Sequence, residues 1–177
     1  MNPELQIKDD LLSADHAELD GLLKDVFNAI DSRDGAAVFE KLDLFWARLA
    51  MHIRAEHLHL FPAVLEYSEE TVSAAFDIRD KLELLRHDHD FFMRELARAV
   101  KLMRAVSEES AAATYIEIRS LLRDIEQRLS EHNRIEETEV YPVMQAVMGH
   151  KKFINLDARV KRELDKMPPR FRKNASE

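Results

Sequence analysis

Apolar residues recur along this chain in steps of three and four, the spacing that lines one face of an α-helix. The first such ladder runs Leu12, His16, Leu19, Leu23, Val26, Ile30 and stops at DSRDG, residues 31–35. The second runs Val38, Leu42, Phe45, Leu49, His52, Glu56, His59, with Pro62 expected to kink or stop it. The third, Ile78, Leu82, Leu85, His89, Phe92, Leu96, Val100, Met103, follows the polar SEET, residues 68–71. The fourth, Ile118, Leu122, Ile125, Leu129, His132, Glu136, Glu139, follows SEES, residues 107–110, and closes near Gly149. A shorter ladder, Phe153, Leu156, Val160, Leu164, Met167, ends at Pro168 and Pro169. The pattern predicts an all-α fold, an up-down-up-down four-helix bundle with a short C-terminal helix. Residues 1–149 are expected to form the bundle, and residues 150–177 a basic helix and tail docking on it or extending from it.

The ladders repeat. The second and fourth match at an offset of 80, pairing Val38 with Ile118, Leu42 with Leu122, Phe45 with Ile125, Leu49 with Leu129, His52 with His132 and Glu56 with Glu136. The first and third match at an offset of 73, where Leu12 answers Leu85, His16 answers His89, Leu19 answers Phe92 and Leu23 answers Leu96. The sequence thus reads as two pseudo-repeated helical hairpins, whose packing about a pseudo-twofold axis brings equivalent rungs to one level. His16, His52, His89 and His132 are expected to converge there.

Polar rungs on an apolar stripe need an explanation. A buried carboxylate without a partner costs several kcal/mol even after relaxation, and two at one level repel each other. A His-paired polar network could absorb them, but a dication compensates them directly. Residues four apart on a helix lie about 6 Å apart on one face, so the His and Glu of each HxxxE can reach one metal or adjacent metals. Two such half-sites point to a two-metal centre, with His16, His52, His89 and His132 as terminal ligands and Glu56 and Glu136 as bridges. The chain has 8 His and no Cys, so the ligands are nitrogen and oxygen only. That set suits iron, manganese or zinc, and two non-heme iron ions are expected, with Zn or Mn as substitutes. Ferritin-like di-iron bundles use a different recipe, a Glu on two helices and Glu-x-x-His on the others.

The remaining polar candidates sit around this set. His57 occupies the place where its repeat has Glu137, off the main stripe, and is expected at the surface or behind a ligand. His59 and Glu139 lie on the stripe one turn past the two Glu and are expected to complete a coordination shell or to orient a ligand. His87, two residues from His89, should be exposed. His150 should be solvated, and Trp46 should be ordinary packing.

Charge and composition exclude several functions. A net charge of −8 argues against nucleic acid or an anionic membrane as the main partner. Residues 150–177 carry nine Lys and Arg against four Asp and Glu, +5, so the rest of the chain carries −13. That asymmetry suggests a basic segment docking on an acidic body. MNPELQIKDD has no signal-like pattern and nowhere do eighteen apolar residues stand together, so a soluble cytoplasmic protein is expected.

At the polar rungs the sequence resembles the hemerythrin-like, or HHE cation-binding, family, over roughly residues 10–148. The residues that carry the resemblance are Asp15–His16, His52 and Glu56 with the trailing Leu60–Phe61–Pro62, Asp88–His89, and His132, Glu136 and Glu137 with Tyr141–Pro142. The resemblance implies a four-helix bundle around a carboxylate-bridged non-heme di-iron centre that binds dioxygen or another small oxidant. Oxygen-carrying hemerythrins have a second His four residues from the first on the third helix; here those positions are Leu85 and Met93. The cysteine-containing N-terminal segment of the iron–sulfur repair members is absent, and that activity is not carried over.

The functional expectation is reversible binding of dioxygen, nitric oxide or peroxide, in sensing or carriage. The alternatives are a di-iron oxidoreductase that consumes peroxide or dioxygen, iron sequestration, and a metal-free interaction bundle. No signalling or DNA-binding segment accompanies the ladders, so a sensing output is expected to pass through a protein partner.

Overall fold

The computed structural model describes residues 12–68, 75–142, 144 and 148–166. Met167, Pro168 and Pro169, expected to end the last helix, lie outside the described residues. The described chain forms α1 (Ser13–Asp31), α2 (Gly35–Ala55), a π turn (Glu56–Leu60), α3 (Phe61–Ser68), α4 (Ala75–Arg104), α5 (Ala111–Ile135), a second π turn (Glu136–Val140) and α6 (His150–Leu164). There is no strand among the described residues, and no helix there is long and apolar enough to cross a membrane.

The join between α1 and α2 is built from its own sequence. Arg33 adopts φ 54°, the left-handed conformation that turns the chain. Asp34 then caps α2, its carboxylate accepting from the Ala37 N–H at 3.0 Å. A Cβ at Gly35 would lie 2.9 Å from the Tyr115 hydroxyl, so the end of that side chain would have to shift to admit one. Helices α1 and α4 each pack against both α2 and α5, closing the up-down-up-down bundle.

The predicted rungs point inward. From Leu12 to Ile30, Val38 to Glu56, Ile78 to Met103 and Ile118 to Glu136, every residue of the four ladders is buried. Two apolar clusters result, with the polar rungs between them. On α1, His16 separates Leu12 of one cluster from Leu19 of the other; on α2, His52 lies between Leu49 and Ala55. His89 lies between Leu85 and Phe92, and His132 between Leu129 and Ile135. Apolar packing on both sides therefore fixes one polar layer across all four helices.

Pro62 does not stop the second helix. The Phe61 N–H bonds the Glu56 carbonyl, five residues back, and the chain returns to α spacing through Ser68. Pro62, with no N–H to place, stands where the spacing changes. The same five-residue bond joins the Tyr141 N–H to the Glu136 carbonyl, with Pro142 next in sequence.

Helix α6 lies on α2 and the first π turn. Phe153, Leu156, Val160 and Leu164 enter the cluster on that side of the polar layer, each such side chain contributing about 1.5–3 kcal/mol by burial. Arg54 donates to the Glu163 carboxylate at 2.6 Å, and Arg48 donates to the Leu164 carbonyl at 2.8 Å. In these contacts the body supplies the cations and α6 supplies the acceptors.

Candidate metal centre

Six side chains meet in the polar layer. His16 comes from α1, His52 from α2, His89 from α4 and His132 from α5, while Glu56 and Glu136 open the two π turns. None is more than 4% exposed. Ligand-type atoms of His52, Glu56, His132 and Glu136 all lie within 4.8 Å of one another. His16 and His89 adjoin the same carboxylates.

The carboxylate oxygens divide between two histidine pairs. Glu56 Oε1 faces His52 Nε2 at 3.2 Å, and its Oε2 faces His89 Nε2 at 2.9 Å. Glu136 Oε2 faces His16 Nε2 at 3.4 Å, and its Oε1 faces His132 Nε2 at 3.4 Å. The His16 and His52 rings stand 5.0 Å apart, and the His89 and His132 rings 4.7 Å apart. Each pair thus meets one oxygen from each Glu.

Every histidine is held from behind through Nδ1. His52 contacts Asp15 at 2.8 Å and His132 contacts Asp88 at 3.3 Å. Each Asp is gripped in turn by an arginine, Asp15 by Arg48 at 2.6 Å and Asp88 by Arg128. His16 contacts Glu137 at 2.6 Å, and His89 contacts His57 at 2.9 Å. Such outer partners fix the tautomer that turns Nε2 inward.

The electrostatics follow from burying carboxylates beside imidazoles. Burial opposes charge on His52, yet Glu56, the Asp15 contact and Glu136 together hold its pKa well above the ordinary value. Burial opposes charge on His132 as well, and Glu136, Asp88 and Glu56 bring it to about 9. Burial pushes Glu56 up, but His52 and His89 outweigh it and leave the carboxyl well below its usual range. Burial, then the negative charge of Glu136 and Glu56, raises the Tyr141 hydroxyl, which donates to Glu136 Oε2 at 3.0 Å. Without another cation, protons on imidazole neutralise the layer.

Several inward atoms still lack a hydrogen-bond partner. They are His16 Nε2, His52 Nε2, both oxygens of Glu56 and Oε1 of Glu136. Buried polar atoms left unsatisfied are costly, and here they converge. Metal coordination would satisfy them, and imidazole with carboxylate suits a borderline or hard cation such as iron, manganese or zinc. The residues present therefore fit a metal.

The hemerythrin HHE cation-binding domain model matches residues 8–144. The chain belongs to that family. No match to a curated protein or to a solved structure accompanies it.

Within this hemerythrin HHE domain the other sequence candidates go elsewhere. His59 turns toward α6, 3.7 Å from Glu163, and Glu139 pairs with Lys81 at 3.3 Å and Arg134 at 3.1 Å. Both were expected to complete or orient the shell, but the π turn shifts the helical phase after each Glu and takes them off the stripe. Leu60 and Val140 are buried instead. His87 is exposed, with Glu83 3.8 Å away, whereas His57 is exposed yet reaches His89. Trp46 packs beside the core and donates to Met93 Sδ; the His150 side chain lies outside the described residues.

The outer roles of Arg48 and Arg128 went unread in the sequence, although each stands four residues before a stripe histidine at the same offset of 80. Extending the repeat by one rung would have found them. Tyr141 carried a signal only through its place in the repeated aromatic–Pro motif.

Proposed function

We propose that the six side chains hold two iron ions, with His16 and His52 on one, His89 and His132 on the other, and Glu56 and Glu136 bridging both. The observation that carries this reading is the division of the two carboxylates, one oxygen of each toward each histidine pair. Zn or Mn would be accepted by the same donors. When bound, a pair of iron ions would supply redox chemistry toward dioxygen, nitric oxide or peroxide, which zinc would not, and sensing or carriage of such a ligand is the proposed role.

The protein's own contribution is enclosure and orientation. The six side chains are buried between two apolar clusters, so only a molecule of a few atoms can join them without separating helices. Asp15, Asp88, Glu137 and His57 keep each Nε2 aimed inward. A second reading, an oxidoreductase that consumes peroxide or dioxygen, draws support from Tyr141, whose buried hydroxyl holds a proton on Glu136. Iron sequestration would be limited to the ions these six side chains accommodate.

The test is anaerobic loading with ferrous iron, metal analysis, and then air exposure with optical spectra and oxygen uptake. Two irons per chain with a reversible charge-transfer band support carriage or sensing. Steady oxygen consumption with a reductant supports the enzyme, and no retained metal refutes both.

A further inference from the structure

We infer that the two halves of this centre are unequal: the His16–His52 pair fills with metal first and holds it more tightly, because His57 stands behind the second pair where Glu137 stands behind the first. This rests on the two-metal reading above and adds an order to it.

The comparison is internal to the molecule. His52 and His132 have the same kind of support, an Asp held by an Arg, with the shorter contact, 2.8 Å against 3.3 Å, on the first pair, so this comparison does not offset the order. The other two histidines differ. Glu137 Oε1 lies 2.6 Å from His16 Nδ1, a charge-assisted contact that makes the ring a stronger donor at Nε2. His89 Nδ1 instead meets His57 Nε2 at 2.9 Å. For His89 to turn its lone pair inward, its Nδ1–H must donate to a neutral His57, which brings no negative charge.

The surroundings enlarge this difference. Asp20 interacts electrostatically with both His16 and Glu137, adding a carboxylate to the first corner. Beside His57 the Arg86 guanidinium lies 5.6 Å over the Phe61 ring, with Asp90 opposing its charge. One contact acts the other way: Tyr141 donates to Glu136 Oε2, the oxygen that faces His16. That neutral donor acts on a carboxylate serving both positions, whereas Glu137 adds a full charge behind one, so the order stands.

Repulsion between two cations separates the binding steps in any case, so the diagnostic is which pair fills first. The full-length protein, stripped of metal and labelled with 15N-histidine, is titrated anaerobically with Co(II) while the ring N–H signals are followed by NMR. At one equivalent, paramagnetic shifts are expected on His16 and His52 in preference to His89 and His132 by about 10-fold or more, the usual scale for loss of an outer partner. His57→Glu, at an exposed position, should bring the two pairs to near-equal occupancy at one equivalent. His57→Gln keeps an acceptor without the charge and should retain the wild-type order, and Glu137→Gln should weaken the first step. Equal filling in the wild type, His89 and His132 filling first, or an unchanged order in His57→Glu would overturn the inference while leaving two ions per chain intact. Fewer than two Co(II) per chain, or no shift at any of the four histidines, would overturn the two-metal reading and the inference with it.

Discussion

Removing metal should reverse the way this protein's stability responds to pH. In the metal-free state His132 is held at about 9 by Glu136, Asp88 and Glu56 against the pull of burial, starting from 6.5. Because the folded form binds the proton more tightly, the contribution is fully present below pH 6.5 and is lost as pH rises through about 9. Its full size is about 3 kcal/mol. His52 is raised for the same reasons and acts in the same direction. Glu56 is lowered, so its contribution is present above its unfolded value of 4.5 and fails only in acid, outside this window. For a chain of this length, 3 kcal/mol corresponds to roughly 6–12 °C in melting temperature.

Metal binding needs neutral imidazole, so protons compete with it and affinity climbs with pH. The assay is thermal unfolding by circular dichroism from pH 6 to 9.5, in excess chelator and in saturating Zn(II), which avoids redox change. The chelated protein should lose several degrees across the range, and the loaded protein should gain or hold. A chelated melting temperature that stays flat or rises between pH 7 and 9 would refute the argument that imidazolium compensates the buried carboxylates.

Glu136→Gln, which weakens one of the two shared carboxylates, should reduce bound metal below the proposed two ions per chain by elemental analysis; retention of two would contradict the proposed bridging role. Tyr141→Phe leaves Glu136 Oε2 without its donor and should cost the chelated protein about 1–3 kcal/mol in urea unfolding. An unchanged midpoint there would mean that the hydroxyl contributes nothing. Leu156→Ala removes a fully buried side chain of α6 and should cost about 2–5 kcal/mol. Amide exchange should then rise in α6 and across residues 56–60, which α6 packs against; protection left intact at the π turn would show that α6 does not brace it.

How far the sequence could be read depends on where its periodicity holds. The rungs from Leu12 to Ile30 and from Ile78 to Met103 are all buried because α1 and α4 keep one helical phase from end to end. The six polar rungs came together because they belong to those stripes. After Glu56 and Glu136 the phase breaks, since a bond five residues back inserts a π turn that steps of three and four cannot represent. His59 and Glu139 were misplaced for that reason alone. His57 was assigned correctly off the stripe, but exposure does not reveal that a ring nitrogen can bend back onto His89. Arg48 and Arg128 were hidden differently: long side chains reach across helices, and stripe patterns record where a residue starts, not where its end arrives.

The position of the polar layer also decides what metal can do for the fold. On each long helix the histidine lies between apolar residues belonging to opposite clusters, so the helices are clamped above and below the centre. Much of that packing, including Val26, Leu42, Leu96 and Leu122, lies about two turns or more along its helix from the polar rungs. Metal is therefore not needed to gather the helices, unlike a zinc finger that is unfolded without its ion. Its binding adds stability by mass action on a bundle already formed. The carboxylates are consequently held near each other before any metal arrives, at the cost of unsatisfied atoms on Glu56, Glu136, His16 and His52. Those atoms are the ones a cation would satisfy, and they are confined to the one layer where apolar rungs give way to polar ones.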